Sequence, residues 1–593
     1  MFLVICKIEF NLKRFIKFNI VRKMHEYKIT YEDRTLTTWK VNDYKTLEYV
    51  ELIDFCPVQN RLLHGDVFNY DLDSNSVKIV HSCVRNASSM PGVLILENNK
   101  MYGKDKNRPL YKCLPDDKRI PPFLIPYELK NIGFNKKIVN KYVNFKFHRW
   151  DSKHPIGMLT QTIGDVDVLE NFYEYQLFCK SLNASIQNFN KSTTKSIQSL
   201  DHKPEIILQE IVKQNPNIQN RTSWNIFTID GKGTQDFDDA IGIQYLDNNQ
   251  KKISIYITNV CIWMEHLNLW DSFANRISTI YLPDRKRPMM PTILSDILCS
   301  LQEKKDRVAF ALDLVIDVNN KIIDVQYNNC LINVTKNYLY EEDLLINMSD
   351  YKSILSTTRL MLHNHKFINN IKTSNDMIAY LMVIMNHFCA KHFEEHNNGI
   401  YRSSVFRETS NTHIPEELPE DVYNFMKIWG TTSGQYVLGK SPHEVLELDS
   451  YVHITSPIRR LVDLLNLMNI QMNMKIYEYS DTALCFYNKW IAKIDYINTT
   501  MRSIRKVQTE CSLLELCTNN PEIGNTQYDG YLFDKIVRND GLFQYMCYIP
   551  SLKMVSKVNS QVDKNNFDCS VFQVFLFQDE NKMKQKIRIH LLE

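Results

Sequence analysis

The segment Ile226-Phe-Thr-Ile-Asp230-Gly-Lys-Gly-Thr-Gln-Asp236-Phe-Asp238-Asp239-Ala240 places four aspartates within ten residues, between two apolar runs that resemble β-strands. Four negative charges in one loop between buried strands repel one another unless a cation neutralises them. Carboxylate oxygens are the ligands that hard divalent ions prefer, so the segment predicts a Mg²⁺ site, with Mn²⁺ also suitable and zinc disfavoured. The predicted metal ligands are Asp230, Asp236, Asp238 and Asp239.

Other interpretations of this loop fit the residues less well. A calcium loop of the EF-hand type needs oxygen ligands at alternate positions, but the fifth position counted from Asp236 is Ala240. A Gly-rich phosphate loop is a weak match because Asp236 stands where the third glycine would be. A solvated acidic turn would not normally place Phe237 and Ile229 among the charges. We therefore favour a catalytic metal site.

The pattern around this loop indicates a central domain of mixed α/β type. Alternating isoleucines at 253, 255 and 257 have the period of a β-strand. The predicted strands are Ile226–Ile229, Ile241–Tyr245 and Ile253–Val260. Long helical patterns follow at Glu342–Leu362, Asp376–Glu395, Pro419–Trp429, Ser456–Met472 and Trp490–Cys517.

A second informative segment is Ser456-Pro-Ile-Arg459-Arg460-Leu-Val-Asp463. Ser456 is a favourable N-cap and the following proline suits the first helical position, so the pattern predicts a helix that begins here. Arg459 and Arg460 then occupy the first turn, where the helix dipole disfavours cations. Such a pair is expected where an anion binds, although an ordinary surface pair beside Asp463 is the alternative. Carboxylates that bind a divalent metal, together with arginine at a phosphate, are what phosphodiester hydrolysis requires.

The flanking regions are rich in short strands. Residues 27–183 have the spacing of two small β-barrels, and Tyr528–Ile549 has the pattern of a hairpin with Asp-Gly in its turn. The aromatic residues of that hairpin suit either base stacking in an OB-fold or the core of a small barrel, and the pattern does not choose between them. They are Tyr531, Phe533, Phe543 and Tyr545.

Composition excludes several classes of protein. The 593 residues carry a net charge of only +3, and residues 1–23 alone contribute +5, so a polyanion must bind at a local basic patch. No apolar run approaches the roughly 20 residues that a membrane span needs. The 14 cysteines include no CxxC pair, which indicates reduced thiols and an intracellular protein. His387, His392 and His396 are spread around a helix at this spacing, so we expect no metal there.

The acidic loop and the arginine segment resemble the signature blocks of the RNB exoribonucleases, the family of ribonuclease II, ribonuclease R and the exosome's catalytic subunit. Three further segments agree with this resemblance: 274–283, 288–291 and 298–301. It implies a Mg²⁺-dependent hydrolase that degrades single-stranded RNA from the 3′ end to nucleoside 5′-monophosphates. By the same resemblance, Asp238, Asp239 and Arg459 are catalytic. Tyr281, Arg459 and Arg460 bind RNA, with Tyr281 stacking on a base.

The resemblance also implies the domain organisation. The fold class is multidomain α+β, with two OB-like cold-shock barrels, a central RNB catalytic domain and a C-terminal OB-fold. The expected segments are 1–23 (basic extension), 24–118 and 119–184 (barrels), 185–222 (linker), 223–520 (RNB) and 521–593 (OB-fold). We expect a cytoplasmic or nuclear monomer without membrane contact, whose accessory RNA-processing partners the sequence does not identify.

The sequence departs from the family pattern at three positions. Asn259 replaces an aspartate, Leu461 replaces an aromatic residue after the arginine pair, and Ile504 stands where a glutamate is usual. These changes leave the acidic loop intact but bear on rate and on the grip on the RNA end. The main alternative is therefore a catalytically weak RNA-binding protein with the same fold. A metal-dependent endonuclease is a third alternative.

Overall fold

The computed structural model describes residues 25–52, 55–71, 74–129, 138–199, 203–368, 370–406, 414–431, 434–579 and 584–592. They fall into two compact units, one from the described part of Met1–Ser181 with Phe575–Arg588, the other from Leu182–Val574 with the end of the chain. The predicted basic extension, residues 1–23, lies outside the described residues. In the described part of the chain, every helix is too short or too polar to cross a membrane.

The first unit contains two antiparallel-rich sheets. Its strands are β1 (Glu26–Tyr31), β2 (Trp39–Asp43), β3 (Val67–Asp71), β4 (Ser76–His81), β5 (Met90–Leu94), β6 (Lys104–Asp105), β7 (Arg108–Pro115), β8 (Phe123–Pro126), β9 (Lys141–Arg149) and β10 (Ile156–Asp165). Two helices accompany them, α1 (Cys83–Asn86) and α2 (Leu169–Cys179). The sheet orders are β2-β1-β3-β4 and β5-β9-β10-β8-β7-β6.

The two sheets do not divide where the sequence analysis places the boundary between two barrels. Strand β5 pairs with β9, so the second sheet takes strands from both sides of residues 118 and 119. Residues of both sheets, including Ile29, Phe68, Val143 and Phe145, also belong to one apolar core. A pairing across about fifty residues of sequence leaves no local pattern, which is why the sequence did not indicate it.

The segment 185–222, expected to be a linker, contains two helices at the start of the second unit. They are α3 (Gln187–Ser199) and α4 (Pro204–Gln214). Helix α4 buries Ile207, Leu208 and Ile211. Helix α3 is polar in composition but buries Phe189, Thr193 and Ile197, which lie one turn apart on one face. Three buried residues in a polar segment are too few to stand out from a linker composition.

A closed five-stranded barrel forms the centre of the second unit. Its strands are β11 (Gln219–Asp230), β12 (Asp239–Tyr245), β13 (Lys251–Thr258), β16 (Asp306–Ile316) and β17 (Ile322–Leu339), in the order β11-β12-β13-β16-β17. The hairpin β14 (Ile280–Tyr281) with β15 (Lys286–Arg287) and the pair β18 (Ile400–Ser403) with β19 (Gln435–Leu438) lie outside the barrel. All three predicted strands overlap barrel strands, and the mixed α/β class is confirmed.

The remaining helices include most of those that the sequence predicts. They are α5 (Val260–His266), α6 (Asp343–Asn347), α7 (Ser349–Met361), α8 (Ser374–Glu395), α9 (Glu420–Trp429), α10 (Leu461–Asn473), α11 (Asp481–Ile491) and α12 (Ile494–Asn519). A π-helical turn spans Ile293–Cys299. The single helix predicted at 342–362 is divided into α6 and α7. The single helix predicted at 490–517 begins at the end of α11 and continues across a break into α12.

The prediction that a helix begins at Ser456 is wrong, because α10 begins at Leu461. Arg460 has extended φ and ψ angles of −136° and 124° and pairs with Ser278, while the Leu461 N–H donates to the Ile277 carbonyl (2.9 Å). The backbone of residues 456–460 instead forms a turn in which the N–H groups of Arg459 and Arg460 donate to the Ser456 carbonyl. The arginines therefore precede the helix.

The C-terminal strands form a five-stranded sheet. They are β20 (Gln527–Val537), β21 (Phe543–Ile549), β22 (Met554–Ser560), β23 (Cys569–Asp579) and β24 (Lys584–Leu591), in the order β22-β21-β20-β23-β24. The predicted hairpin is present as β20 and β21, with Gly541 at φ 81° in its turn. Phe533 and Tyr545 are buried, so for these two aromatic residues the core interpretation holds.

Candidate active site

The acidic loop joins β11 to β12, so Asp230 ends one barrel strand and Asp239 begins the next. Hydrogen bonds from Ser300 and Thr258 hold the backbone of this loop. The hydroxyl of Ser300, which is fully buried, donates to the Gln235 carbonyl (2.7 Å) and accepts from the Phe237 N–H (3.1 Å). The Thr258 N–H donates to the Asp238 carbonyl (2.9 Å). These bonds hold the loop in one conformation before any ligand binds.

Arg459 reaches this loop from a position 221 residues further along the chain. Its Nε donates to Asp238 Oδ2 (2.5 Å), and its Nη2 donates to the Ser456 hydroxyl (2.8 Å). Asp238 is buried, whereas 40% of the Arg459 side chain is exposed. The guanidinium is therefore anchored on Asp238 and Ser456, while part of the side chain remains exposed.

Arg460 points to a different partner. Its Nη2 donates to Asp463 Oδ1 (2.8 Å), and that oxygen also accepts from the backbone N–H of Ser456 (2.9 Å). Asp463 is completely buried at the start of α10. Arg460 thus holds the turn that presents Arg459, which matches the alternative of an arginine paired with Asp463. The structure does not bring it onto the acidic loop.

Burial controls the charge state of three of the aspartates. It raises the pKa of Asp230 and of Asp238 to about 6, while the Arg459 charge opposes the rise at both. It raises the pKa of Asp239 to about 8, with the charges of Asp230 and Asp238 adding to the effect. Asp230 Oδ2 and Asp238 Oδ1 are buried and have no hydrogen-bond partner. An additional cation is the simplest way to satisfy these oxygens.

Asp236 is already paired with a cation of the protein. Lys286 Nζ donates to Asp236 Oδ1 (3.1 Å) and also to Asp296 Oδ1 (3.2 Å), and the Tyr281 hydroxyl donates to Asp236 Oδ2 (3.2 Å). Tyr281 and Lys286 face each other in the β14–β15 hairpin. The sequence analysis missed Lys286 and Asp296. The only indication of this contact in the sequence is that Tyr281 and Lys286 are close together, with Pro283 between them.

The carboxylates fit a magnesium-type ion without forming a closed cage. Among the described residues, three potential ligand atoms lie within 4.8 Å of one another only at His392, Glu395 and His396, and not in the acidic loop. Mg²⁺ usually takes one or two protein carboxylates and completes its shell with water and substrate phosphates. Two unpartnered aspartate oxygens and an all-oxygen donor set suit that mode of binding.

The three departures from the family pattern are packing residues. Asn259 is fully buried, and its Nδ2 donates to Asn329 Oδ1 (2.8 Å) and Gln471 Oε1 (3.0 Å). Leu461 and Ile504 are both buried in apolar surroundings. Asn259 is therefore held by an amide network, and a leucine or isoleucine at the other two positions cannot contribute a polar contact to RNA.

One aromatic residue beside the cluster was not predicted. The Tyr340 N–H donates to the Asp230 carbonyl (3.1 Å), directly after β17, and 37% of Tyr340 is exposed. Burial raises the pKa of its hydroxyl, and the charges of Asp230 and Asp239 add to the rise. The acidic loop therefore lies near two partly exposed tyrosines, Tyr281 and Tyr340. Tyr340 follows an ordinary strand pattern, so nothing in the sequence indicated that it lies near the acidic loop.

Two regions of the chain match known protein families. The RNB domain family matches residues 218–353 and 345–476, and the Dis3-like cold-shock domain 2 family matches residues 110–174. Ribonuclease R 1 of Lactococcus lactis is 24% identical over 472 residues, which is 65% of this chain and 55% of that protein. The matched regions cover from a quarter to just over half of the length of the first curated relatives.

Solved structures show the same fold. Mycoplasma genitalium RNase R in complex with ribose-methylated single-stranded RNA aligns with a TM-score of 0.63 at 15% identity, covering 96% of this chain and 100% of that one. Yeast Ssd1, described as a pseudonuclease, aligns with a TM-score of 0.57 at 15% identity, covering 92% of this chain and 80% of that one. The fold is thus found in both a ribonuclease and a pseudonuclease.

Proposed function

We propose that this chain, whose residues 218–353 and 345–476 match the RNB domain family, hydrolyses single-stranded RNA from the 3′ end and releases nucleoside 5′-monophosphates. The observation that carries the proposal is the ion pair between Arg459 and Asp238, which joins the two segments that the chemistry requires. An arginine held beside these carboxylates can neutralise the charge of a phosphate that binds next to them.

The residues of the loop have distinct roles in this proposal. Asp230, Asp238 and Asp239, joined by Asp236 when it is released from Lys286, would hold Mg²⁺, or Mn²⁺ in its place, which when bound supplies an activated water and neutralises charge on the leaving oxygen. Asp238 orients Arg459 through its Oδ2, and Arg459 stabilises the charge that develops on the phosphoryl oxygens. Arg460 acts indirectly, by holding the turn through Asp463.

Tyr281 would position the terminal nucleotide. Its hydroxyl is held by Asp236, while 40% of the residue is exposed, so a base can approach the ring. Stacking of a base on an aromatic side chain contributes about 1–3 kcal/mol and tolerates any base. Such a contact suits an enzyme that removes nucleotides without regard to sequence. The N-terminal sheets and the C-terminal OB-fold would supply further RNA contacts.

A labelled substrate tests the proposal directly. Single-stranded RNA labelled at its 5′ end should be shortened progressively from the 3′ end in the presence of Mg²⁺ and should remain intact in EDTA. Circular RNA of the same sequence should resist degradation, because it offers no 3′ end. Cleavage of the circle would instead indicate the endonuclease alternative.

A second candidate function is RNA binding without turnover. It is favoured by the structural similarity to a pseudonuclease and by the apolar residues Leu461 and Ile504. Tight binding of the labelled RNA without Mg²⁺-dependent shortening would establish this alternative. The intact set of four aspartates with Arg459 is why we place the enzyme first.

A further inference from the structure

We propose that the C-terminal end of helix α8 binds a transition-metal ion of the zinc class through His392, Glu395 and His396. This site lies outside the acidic loop and does not depend on the proposed nuclease activity. The sequence analysis expects no metal here because it considers His387 together with the other two histidines. The structure instead brings Glu395, not His387, into the group.

The three side chains have the geometry of a metal site on one helix face. Each offers one ligand atom, and these atoms lie within 4.8 Å of one another. His392 and Glu395 are three residues apart on α8, and His396, which follows the last helical residue, is four residues after His392. A tetrahedral zinc ion with bonds near 2.0 Å needs ligand atoms about 3.3 Å apart. Metal binding therefore requires side-chain rotations that bring the ligand atoms closer together.

The histidine contacts favour the form that binds metals. The His396 Nδ1 lies 2.9 Å from the His392 carbonyl, so Nδ1 carries the proton and Nε2 keeps its lone pair. A backbone carbonyl that fixes the second ring nitrogen is the usual arrangement behind a metal-binding histidine. The His392 Nε2 is buried and has no hydrogen-bond partner.

The electrostatic surroundings favour a cation. Glu395 is the last residue of the 22-residue helix α8, where the backbone carbonyls carry partial negative charge. The nearby lysines Lys391 and Lys440 pair with Glu394 instead (3.2 and 3.1 Å). No ion pair joins Glu395 to a lysine or arginine within the part of the chain that the structure describes. Its carboxylate is therefore available to the two imidazoles.

The donor set also selects the kind of ion. Two nitrogen ligands and one oxygen suit Zn²⁺ and its neighbours in the transition series, whereas Mg²⁺ prefers oxygen alone. Three protein ligands leave a fourth position for water. The ring of His392 packs near Tyr327 of barrel strand β17, with centroids 5.7 Å apart. A bound ion would therefore lie at the end of α8, next to the barrel.

Titration of the full-length protein with Co²⁺ tests the proposal, because tetrahedral cobalt has a visible d–d absorption. Excess Mg²⁺ is present throughout to compete at the acidic loop. Wild-type protein should bind one more Co²⁺ per chain than the His392→Ala/His396→Ala double variant, and Glu395→Gln should weaken that binding about tenfold. His363→Ala, which removes another exposed histidine, should leave the titration unchanged.

The result that would overturn the proposal is an equal Co²⁺ stoichiometry in wild type and double variant. Circular dichroism shows whether the double variant is folded. If it is not, Glu395→Gln decides, because it keeps both histidines and the helix, and unchanged affinity in that variant also refutes the site. RNA degradation measured on the same samples is independent, so failure of the nuclease proposal would not be confused with failure of this one.

Discussion

Replacing Asp239 with asparagine should make the metal-free protein more stable while it abolishes RNA degradation. Burial raises the pKa of Asp239 from 3.8 to about 8, so the folded state disfavours the ionised form. The stabilisation from a neutral carboxyl is complete below pH 4 and is lost as the pH rises towards 8. At pH 7 the ionisation that folding suppresses costs on the order of 4 kcal/mol, at about 1.36 kcal/mol for each pH unit above 3.8.

Asparagine has nearly the same shape as aspartate and cannot ionise, so it removes this cost. The assay is urea denaturation in EDTA at pH 5, 6, 7 and 8. Asp239→Asn should be more stable than wild type by on the order of 2 kcal/mol at pH 5, and the difference should grow with pH. Asp324→Asn removes an exposed carboxylate from strand β17 of the same barrel, and it should change stability by no more than about 0.5 kcal/mol.

Mg²⁺ should reverse the order, because it binds the ionised carboxylate and stabilises the wild type more than the variant. The reasoning would be refuted if Asp239→Asn were less stable than wild type in EDTA at pH 8. A stability difference that did not change between pH 5 and pH 8 would equally exclude a strained carboxylate at this position.

Substitutions at three further residues have defined outcomes. Lys286→Met frees Asp236 and should lower the Mg²⁺ concentration that is needed for half-maximal degradation. Lys286→Arg keeps the ion pair and should leave that concentration unchanged. An identical Mg²⁺ dependence in both variants would contradict this. Tyr281→Phe should keep RNA affinity within about twofold in filter binding, while Tyr281→Ala should lose about 1–3 kcal/mol, and equal losses would exclude stacking. Phe425→Ala removes a ring whose centroid lies 3.7 Å from that of Tyr548. It should lower the free energy of unfolding in urea by about 2 kcal/mol. An unchanged free energy of unfolding would indicate that α9 does not stabilise the C-terminal sheet.

The sequence was most informative where local pattern and chemistry coincide. Apolar runs on both sides of the acidic loop predicted the strands that end at Asp230 and begin at Asp239, because burial imposes period and composition on a strand. The chemistry of carboxylates and arginine predicted that Arg459 would lie near the loop, although no local signal relates positions 221 residues apart. That prediction depended on what phosphodiester hydrolysis requires of an active site.

The features that escaped prediction depend on tertiary contacts. Ser456 has the local properties of an N-cap. Arg460 nevertheless pairs with Ser278 in an extended conformation, so the helix begins at Leu461. Lys286 looks like a surface lysine until the hairpin places it opposite Tyr281. The group at the end of α8 was not predicted because its third member is Glu395 and not a histidine. Such contacts are decided by the packed structure and not by neighbouring residues.

The most direct test of the central claim compares wild type with Asp238→Asn on RNA. This substitution keeps the shape of the side chain that meets Arg459 but removes its charge. We expect the wild type to release nucleoside 5′-monophosphates in Mg²⁺. The variant should bind single-stranded RNA with similar affinity but release no monophosphates. Release of monophosphates at the wild-type rate by Asp238→Asn would contradict the account.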